Sequence, residues 1–245
     1  MIPRPLIVAI QFLTWLPVPR LDDMRPDDMT RAAPLFPLVG LIIGVILVAA
    51  AWAASGLGSA IGALAVVVAW IAVTGALHLD GLGDVADALG AAHRDPGRFL
   101  AVLRDPHLGT FGVLALVVQV VAKLILVEDL MRHGGASAAL LLIPAWARWG
   151  ALVVARGVPP LAEGSGARLK LGVALPALAA ALAGLAALSV VLAPALLVAP
   201  FIAVGLMFAW RALTGGITGD CLGAGIEVTE SVLLLAAVAG LALLR

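Results

Sequence analysis

The chain of 245 residues contains no tyrosine, a single cysteine and few charges. Only 12% of its residues are charged, against about 25% in ordinary soluble proteins, whereas 63% are hydrophobic. Because Cys221 has no cysteine partner in the chain, an intrachain disulfide and a multi-cysteine zinc site are both excluded. The formal net charge is zero, so no overall field favours nucleic acid as a partner. The alternating strands of a membrane β-barrel are also lacking.

Long uncharged runs take up most of the chain. Runs of about 18 or more uncharged residues are long enough to cross a bilayer as helices. We therefore predict an all-α polytopic membrane protein that forms a single domain over residues 1–245, with the lipid bilayer as its surroundings and a homo-oligomer as a possible assembly. The seven predicted spans are residues 34–54, 60–79, 109–127, 137–155, 172–190, 194–210 and 231–244, and the last is expected to begin before its first apolar residue.

The N-terminal segment, residues 1–33, is apolar at first but too short to span. Residues 3–17 predict an interfacial or re-entrant helix, with Trp15 at the depth of the lipid headgroups. The polar connector that follows carries Asp22, Asp23, Asp27 and Asp28, which we interpret as a solvated acidic face and not a metal site.

Basic residues are distributed unevenly between the two sides of the predicted spans. Lysine and arginine collect on the cytoplasmic side of membrane proteins. With the N-terminus inside, only Lys123, Arg132 and Arg245 fall outside, and Arg148 lies within a span. The cytoplasmic set is Arg4, Arg20, Arg25, Arg31, Arg94, Arg98, Arg104, Arg156, Arg168, Lys170 and Arg211. We predict a plasma (inner) membrane protein whose active-site loops, residues 80–108, 156–171 and 211–230, face the cytoplasm.

The stretch TGALHLDGLGDVADALG places three aspartates, Asp80, Asp84 and Asp87, at i, i+4 and i+7. On a helix these side chains fall within an arc of about 60°, since each residue advances about 100°. Three anions on one face repel one another unless a cation lies between them, so the pattern indicates a divalent-metal site. His78, one turn earlier, is either a ligand or general base, or a histidine hydrogen-bonded inside the bundle.

A second polar stretch, TGGITGDCLGAGIEVTE, combines glycines with Asp220, Glu227 and Glu230. Glycines such as Gly216 and Gly219 allow a backbone to approach phosphate closely, and the carboxylates supply oxygen ligands. Arg104, in RDPHLGTFG, is either a bidentate phosphate donor or a positive-inside anchor.

Arg148 lies inside an apolar span, where an unpaired cation is costly. We expect its partner to be an aspartate of the first polar loop or a phosphate group, with Arg156 on a similar helix face. Carboxylate clusters beside arginines suit phosphoryl-group chemistry, in which Mg²⁺ is favoured over Zn²⁺ by oxygen ligands.

These stretches, together with FLTWLPVPR, FPLVG and the ARW around Arg148, resemble the cobalamin synthase family, also called adenosylcobinamide-GDP ribazoletransferase. The resemblance implies a Mg²⁺-dependent membrane transferase that joins adenosylcobinamide-GDP to α-ribazole, or its 5′-phosphate, with release of GMP. It also implies roles for the residues already singled out. Carried onto this chain, the resemblance makes Asp80, Asp84 and Asp87 metal ligands, with Asp220, Glu227 and Glu230 as further metal ligands or a base. Together with the residue chemistry above, the candidate catalytic groups are Asp84, Asp220 and His78, and the candidate phosphate-binding groups are Arg104, Arg148, Arg156, Gly216 and Gly219.

Two alternatives remain at this point. A CDP-alcohol phosphotransferase-like enzyme also holds metal with several membrane aspartates, but its arginine after the paired aspartates is lacking here. A divalent-cation or cobalt transporter is expected to carry acidic residues near the middle of the membrane and on broken helices. The acidic residues of this chain are predicted at one face, which favours an enzyme.

Overall fold

The computed structural model describes residues 2–21, 23, 25, 27–92, 95–161 and 173–243, and this part of the chain is helical. The predicted all-α class is confirmed, with one isolated bridge between Pro160 and Ile217 in place of any strand in the described ranges. The helices are α1 Arg4–Leu13, α2 Asp28–Ala32, α3 Phe36–Ala53, α4 Ser59–Thr74, α5 Leu77–Ala92, α6 Pro96–Val102, α7 Thr110–Arg132, α8 Ala136–Gly157, α9 Leu175–Leu192, α10 Ala199–Leu213 and α11 Gly219–Leu243.

The helices are long and apolar enough for a multi-pass membrane protein, as predicted. Six segments qualify as spans by length and composition: residues 28–53, 110–132, 136–157, 175–192, 194–213 and 219–243. The pair α4 and α5 passes the same test jointly but is bent by 86°. Counting that pair as one span gives the seven that the sequence predicts.

Two of the predicted polar loops are mostly helical, so that part of the sequence interpretation is wrong. Residues 80–108 contain most of α5 and all of α6, and residues 219–230 form the first three turns of α11. Charged residues are tolerated in these helices because backbone amides and buried cations balance them, as described below. The third predicted loop, residues 156–171, begins as the end of α8, and its residues 162–171, with Arg168 and Lys170, lie outside the described residues.

Helix α8 lies at the centre of the bundle and is the most buried of the long helices. Its closest neighbour is α3, where Gly40 and Gly44 face the backbone of α8 at Ala145 and Leu141. A Cβ atom at either glycine would overlap that backbone, so the small-xxx-small spacing is what allows the two helices to pack closely.

The corner between α4 and α5 redirects the chain at the point where the aspartates begin. Gly75 and Ala76 both have positive φ, at 59° and 57°, and the indole of Trp15 covers Gly75. The backbone N–H of Trp15 also donates to the Val73 carbonyl at 2.8 Å. The second span therefore ends at Thr74 and not at Leu79, and α5 runs across the end of the bundle.

Helix α1 is too short to span and packs against α2 and α3, in keeping with an N-terminal segment that does not cross the membrane. Arg4 donates from Nε and Nη2 to the two carboxylate oxygens of Asp28, at 2.9 and 2.7 Å. Asp28 is buried, so its prediction as part of a solvated acidic face is wrong. Asp22 lies outside the described residues.

Candidate active site

The first turn of α11 packs against α5 and brings Asp220 beside the aspartates of that helix. A Cβ atom at Gly81 would lie 3.0 Å from the Asp220 carbonyl oxygen, and one at Gly223 would lie 3.4 Å from the Cα of His78. The charges of Asp80, Asp87 and Asp220 all act on Asp84. Asp80 is exposed, whereas Asp84 and Asp220 are half-buried. Four carboxylates thus converge at one end of the bundle.

Asp87 differs from the other three carboxylates because both of its oxygens are engaged. Oδ2 accepts from the backbone N–H of Gly109 at 2.6 Å, and Oδ1 accepts from that of Gly112 at 2.9 Å. These amides belong to the N-terminus of α7, where backbone N–H groups lack intrahelical partners and favour an anion. Asp87 therefore caps α7 from a neighbouring helix, with each of its oxygens already accepting one backbone hydrogen bond.

Glu227 and Glu230 do not lie in a surface loop but inside the bundle, about two and three turns into α11. Lys123 of α7 lies 2.7 Å from a carboxylate oxygen of Glu227 and 2.6 Å from one of Glu230. The second oxygen of Glu230 pairs with Arg148 of α8. All four side chains are at least nine-tenths buried. Two anions and two cations balance, so both glutamates are engaged in ion pairs and the sequence prediction that they are loop residues is wrong.

Lys123 lies inside the bundle, so its prediction as a charge outside the membrane is wrong. Its ammonium also lies 4.4 Å from the centroid of the Trp70 ring, and Gln119 donates to Glu227 Oε2 at 2.7 Å. A lysine in an apolar run is costly unless it is paired, and that signal was available in the sequence.

Among the described residues the carboxylate partner of Arg148 is Glu230, so the expectation of an aspartate of α5 is wrong. Arg148 Nη2 also lies 3.3 Å from Nδ1 of His78. A guanidinium only donates hydrogen bonds, so Nδ1 accepts and the proton of the neutral imidazole is on Nε2. His78 is thus a hydrogen-bond donor at Nε2, which disfavours its predicted role as a general base.

The remaining predicted phosphate-binding residues are scattered. Arg156 donates from Nη1 to the Val173 carbonyl at 2.7 Å, and Arg104 is exposed beyond α6. Gly216 is buried beside Pro159 and Leu161, next to the bridge that joins Ile217 to the end of α8. Gly219 lies at the start of α11 beside Asp220. The structure therefore brings only Gly219 next to the carboxylates.

Near Arg104, Asp105 accepts a hydrogen bond from Nδ1 of His107 at 2.7 Å and another from the His107 backbone. These bonds lower the pKa of Asp105. The pair is exposed.

The fit of a divalent cation depends on which carboxylate oxygens are free. Over the described ranges, no three histidine, cysteine, aspartate or glutamate side chains lie close enough together to hold a metal ion by themselves. Asp80 and Asp84 have no ion-pair partner among those residues, and Asp220 accepts only from the Thr218 hydroxyl, at 3.3 Å. The type of donor fits Mg²⁺, which is commonly held by one or two carboxylates together with substrate phosphates.

A cavity of about 270 Å³ opens beside Asp220 and His78. Helices α1, α3, α5, α8 and α11 all contribute to its wall, which consists of Gln11, Phe12, Leu13, Phe36, Leu77, His78, Ala151, Gly219, Asp220, Leu222, Gly223 and Ile226. The rings of Phe12 and Phe36 stack with centroids 5.6 Å apart. The carboxylates and this cavity therefore share Asp220.

Comparison with known proteins assigns this arrangement to a family. The family model for cobalamin-5-phosphate synthase matches residues 5–238. The chain belongs to the cobalamin-5-phosphate synthase family. It is 50% identical over 237 residues to adenosylcobinamide-GDP ribazoletransferase of Laribacter hongkongensis, covering 96% of both chains. It is 49% identical over 247 residues to the protein of that name from Thiobacillus denitrificans, covering 99% of this chain and 98% of the relative.

A third relative with the same name, from Novosphingobium aromaticivorans, is 47% identical over 244 residues, covering 97% of this chain and 98% of the relative. No solved structure matches the chain. The residues that match the family model, 5–238, include every carboxylate and cavity residue described above.

The contacts of Asp87 predict that its side chain contributes more to the stability of the fold than to the reaction. Asp87→Ala removes two hydrogen bonds to the N-terminus of α7, and we expect it to lower the free energy of unfolding by about 1–3 kcal/mol. The measurement is denaturant unfolding of the detergent-solubilised protein, followed by tryptophan fluorescence.

Asp84→Ala, four-fifths of a turn away on the same helix, is the matched control for Asp87→Ala. It removes a repelled carboxylate, so stability is expected to stay the same or rise. Equal stability of wild type and Asp87→Ala would contradict the capping role.

The buried ion pairs predict a large penalty for removing one partner. Lys123→Met leaves Glu227 and Glu230 with one cation, and we expect a loss of about 3–5 kcal/mol in unfolding free energy. The double variant Lys123→Met, Glu227→Gln restores charge balance and should recover part of that loss in the same unfolding assay.

Arg132→Met removes the exposed pair with Glu128 on the same helix, and exposed pairs contribute about 0–1 kcal/mol. If Lys123→Met lowers the free energy of unfolding by no more than Arg132→Met does, the buried ion pairs do not stabilise the bundle as predicted.

Proposed function

We propose that this chain is an adenosylcobinamide-GDP ribazoletransferase, joining adenosylcobinamide-GDP with α-ribazole or its 5′-phosphate in the last steps of cobalamin biosynthesis. The observation that carries the proposal is 50% identity across 96% of both chains to a relative with that name. The unengaged carboxylates beside the cavity support it, because they suit transfer of a phosphoryl-linked group. The CDP-alcohol phosphotransferase and transporter alternatives receive no such support.

In the proposed reaction, a ribose hydroxyl of the acceptor attacks the phosphorus on the cobinamide side of the diphosphate. A new P–O bond forms, the P–O bond to the other phosphate breaks, and GMP leaves with the bridging oxygen. The hydroxyl proton passes to a carboxylate, for which Asp220, which lines the cavity, and its neighbour Asp84 are the candidates, because both are half-buried. His78 has its Nδ1 engaged by Arg148 and holds no role in proton removal.

We propose Mg²⁺ as the metal, held by Asp80, Asp84 and Asp220 on oxygen atoms that have no cation partner in the described chain. When bound, such an ion would neutralise negative charge on the diphosphate. Arg104 is exposed and its guanidinium, unlike those of Arg148 and Arg156, donates no hydrogen bond to another described residue, so it remains a candidate for binding the departing nucleotide.

The reaction is tested in purified protein reconstituted in lipid, with Mg²⁺, adenosylcobinamide-GDP and α-ribazole. Wild type should release GMP, measured by chromatography, and chelation by EDTA should stop the release. Asp84→Ala and Asp220→Ala should each reduce the rate by about 100-fold or more, since each removes a candidate base or metal ligand.

Asp105→Ala is the control for these activity measurements, because Asp105 is an exposed carboxylate bound only to His107. Its rate should equal that of wild type. Absence of GMP with wild type, or wild-type rates for Asp84→Ala and Asp220→Ala, would refute the proposal.

We further propose that the carboxylate end of the bundle faces the cytoplasm across the inner membrane, since the sequence assigns most basic residues to that side of the predicted spans. Two single-cysteine reporters test this. Ala101→Cys on α6 should be shielded from an impermeant thiol reagent added outside intact cells, and Ser55→Cys in the turn between α3 and α4 should react. Cys221 is fully buried and does not interfere. The opposite labelling pattern would reverse the orientation.

A further inference from the structure

The cavity beside Asp220 is too small for the donor substrate. Pockets that hold drug-sized molecules measure about 300–1,000 Å³, and this one measures about 270 Å³. A corrinoid with a nucleotide attached is several times larger than such a molecule, whereas one nucleoside is close to this size. On volume, the cavity suits the acceptor of the proposed reaction or the guanosine part of the donor.

The lining distinguishes these two occupants. Seven of its side chains are apolar: Phe12, Leu13, Phe36, Leu77, Ala151, Leu222 and Ile226. Guanine has polar groups along two edges, whereas the cavity offers only three polar side chains, Gln11, His78 and Asp220. The amide of Gln11 already donates to the Pro19 carbonyl. Burying polar groups without partners is costly. The dimethylbenzimidazole base of α-ribazole is apolar along its outer edge, where its two methyl groups lie. The stacked pair Phe12 and Phe36 offers an aromatic surface for such a flat ring.

The polar groups of the cavity match the same base. Its ring has one unsubstituted nitrogen, which only accepts a hydrogen bond. His78 lines the cavity with its Nδ1 engaged by Arg148, so Nε2–H is the donor that this histidine has left. Asp220 lines the cavity and also neighbours Asp84, so a nucleoside held here has its ribose within reach of the carboxylates.

We propose that this cavity is the acceptor subsite and that Ala151, Phe12 and Phe36 determine which lower-ligand base the enzyme accepts. The base lies among the apolar side chains, and the ribose points to Asp220 at the carboxylate end. The donor, with its diphosphate and corrinoid, approaches from the exposed side of Asp80 without entering the bundle. This inference rests on the proposed function and adds the position and the size limit of the acceptor.

Binding measurements with Ala151→Leu test the size limit directly. The variant replaces a methyl by an isobutyl group at a buried wall position. We expect the dissociation constant of α-ribazole, measured by calorimetry in lipid nanodiscs, to rise by about 10-fold or more. The riboside of unsubstituted benzimidazole, which lacks the two methyl groups, should lose less affinity, so the preference shifts to the smaller base.

Phe12→Leu is the complementary variant, since it opens the cavity. It should also weaken α-ribazole binding, through loss of the aromatic contact, but the preference should stay with the larger base. A preference that shifts in Ala151→Leu and stays unchanged in Phe12→Leu separates a size limit from general damage to the fold. Ala49→Leu makes the same chemical change as Ala151→Leu at an exposed position of α3 and should leave all dissociation constants unchanged.

The proposal is overturned if Ala151→Leu binds both ribosides as wild type does, or if it loses affinity for adenosylcobinamide-GDP and not for the ribosides. The second outcome would assign the cavity to guanosine. Failure of the proposed function gives a different result, because wild type would then release no GMP, whatever dissociation constants are measured for the ribosides. GMP release by wild type with unaltered riboside binding in Ala151→Leu refutes the subsite alone.

Discussion

The buried ion pairs among Lys123, Arg148, Glu227 and Glu230 are the constraint on which the rest of the bundle depends. They join α7, α8 and α11 at a depth where water does not compensate an unpaired charge. Each helix must therefore sit in the register that presents its charge to the others. A shift of one turn would separate the charges by about 5 Å and leave them unbalanced in an apolar interior.

Fixing α11 also fixes the candidate site, because Asp220 and Glu230 belong to one helix. Glu230 contacts Arg148, and Arg148 contacts His78 on α5, so α5 and the first turn of α11 meet at Gly81 and Asp220. Asp87 then ties α5 to the N-terminus of α7. The carboxylates sort into two groups by these contacts: three that hold helices together, and three, Asp80, Asp84 and Asp220, with oxygens left for a cation.

Helical spacing was enough to predict that Asp80, Asp84 and Asp87 share a face, and motif order was enough to indicate the family. The loops were predicted wrongly because hydropathy treats each charged residue as solvated. Whether Glu227 is solvated or buried depends on Lys123, more than a hundred residues away in the chain, and no local pattern records that pairing. Likewise, the spacing of Asp87 is the same whether its oxygens bind a metal or the amides of Gly109 and Gly112.

The bend at Gly75 explains how a membrane bundle can serve two substrates of very different size. Turning α5 by 86° lays Asp80 and Asp84 across the end of the bundle, where the proposed diphosphate donor would meet an exposed carboxylate without displacing a helix. The same turn places His78 and Leu77 at the wall of the mostly apolar cavity. A straight α4 would carry the aspartates away from Asp220, so the positive φ of Gly75 and Ala76 is a condition for the site and not a by-product of the fold.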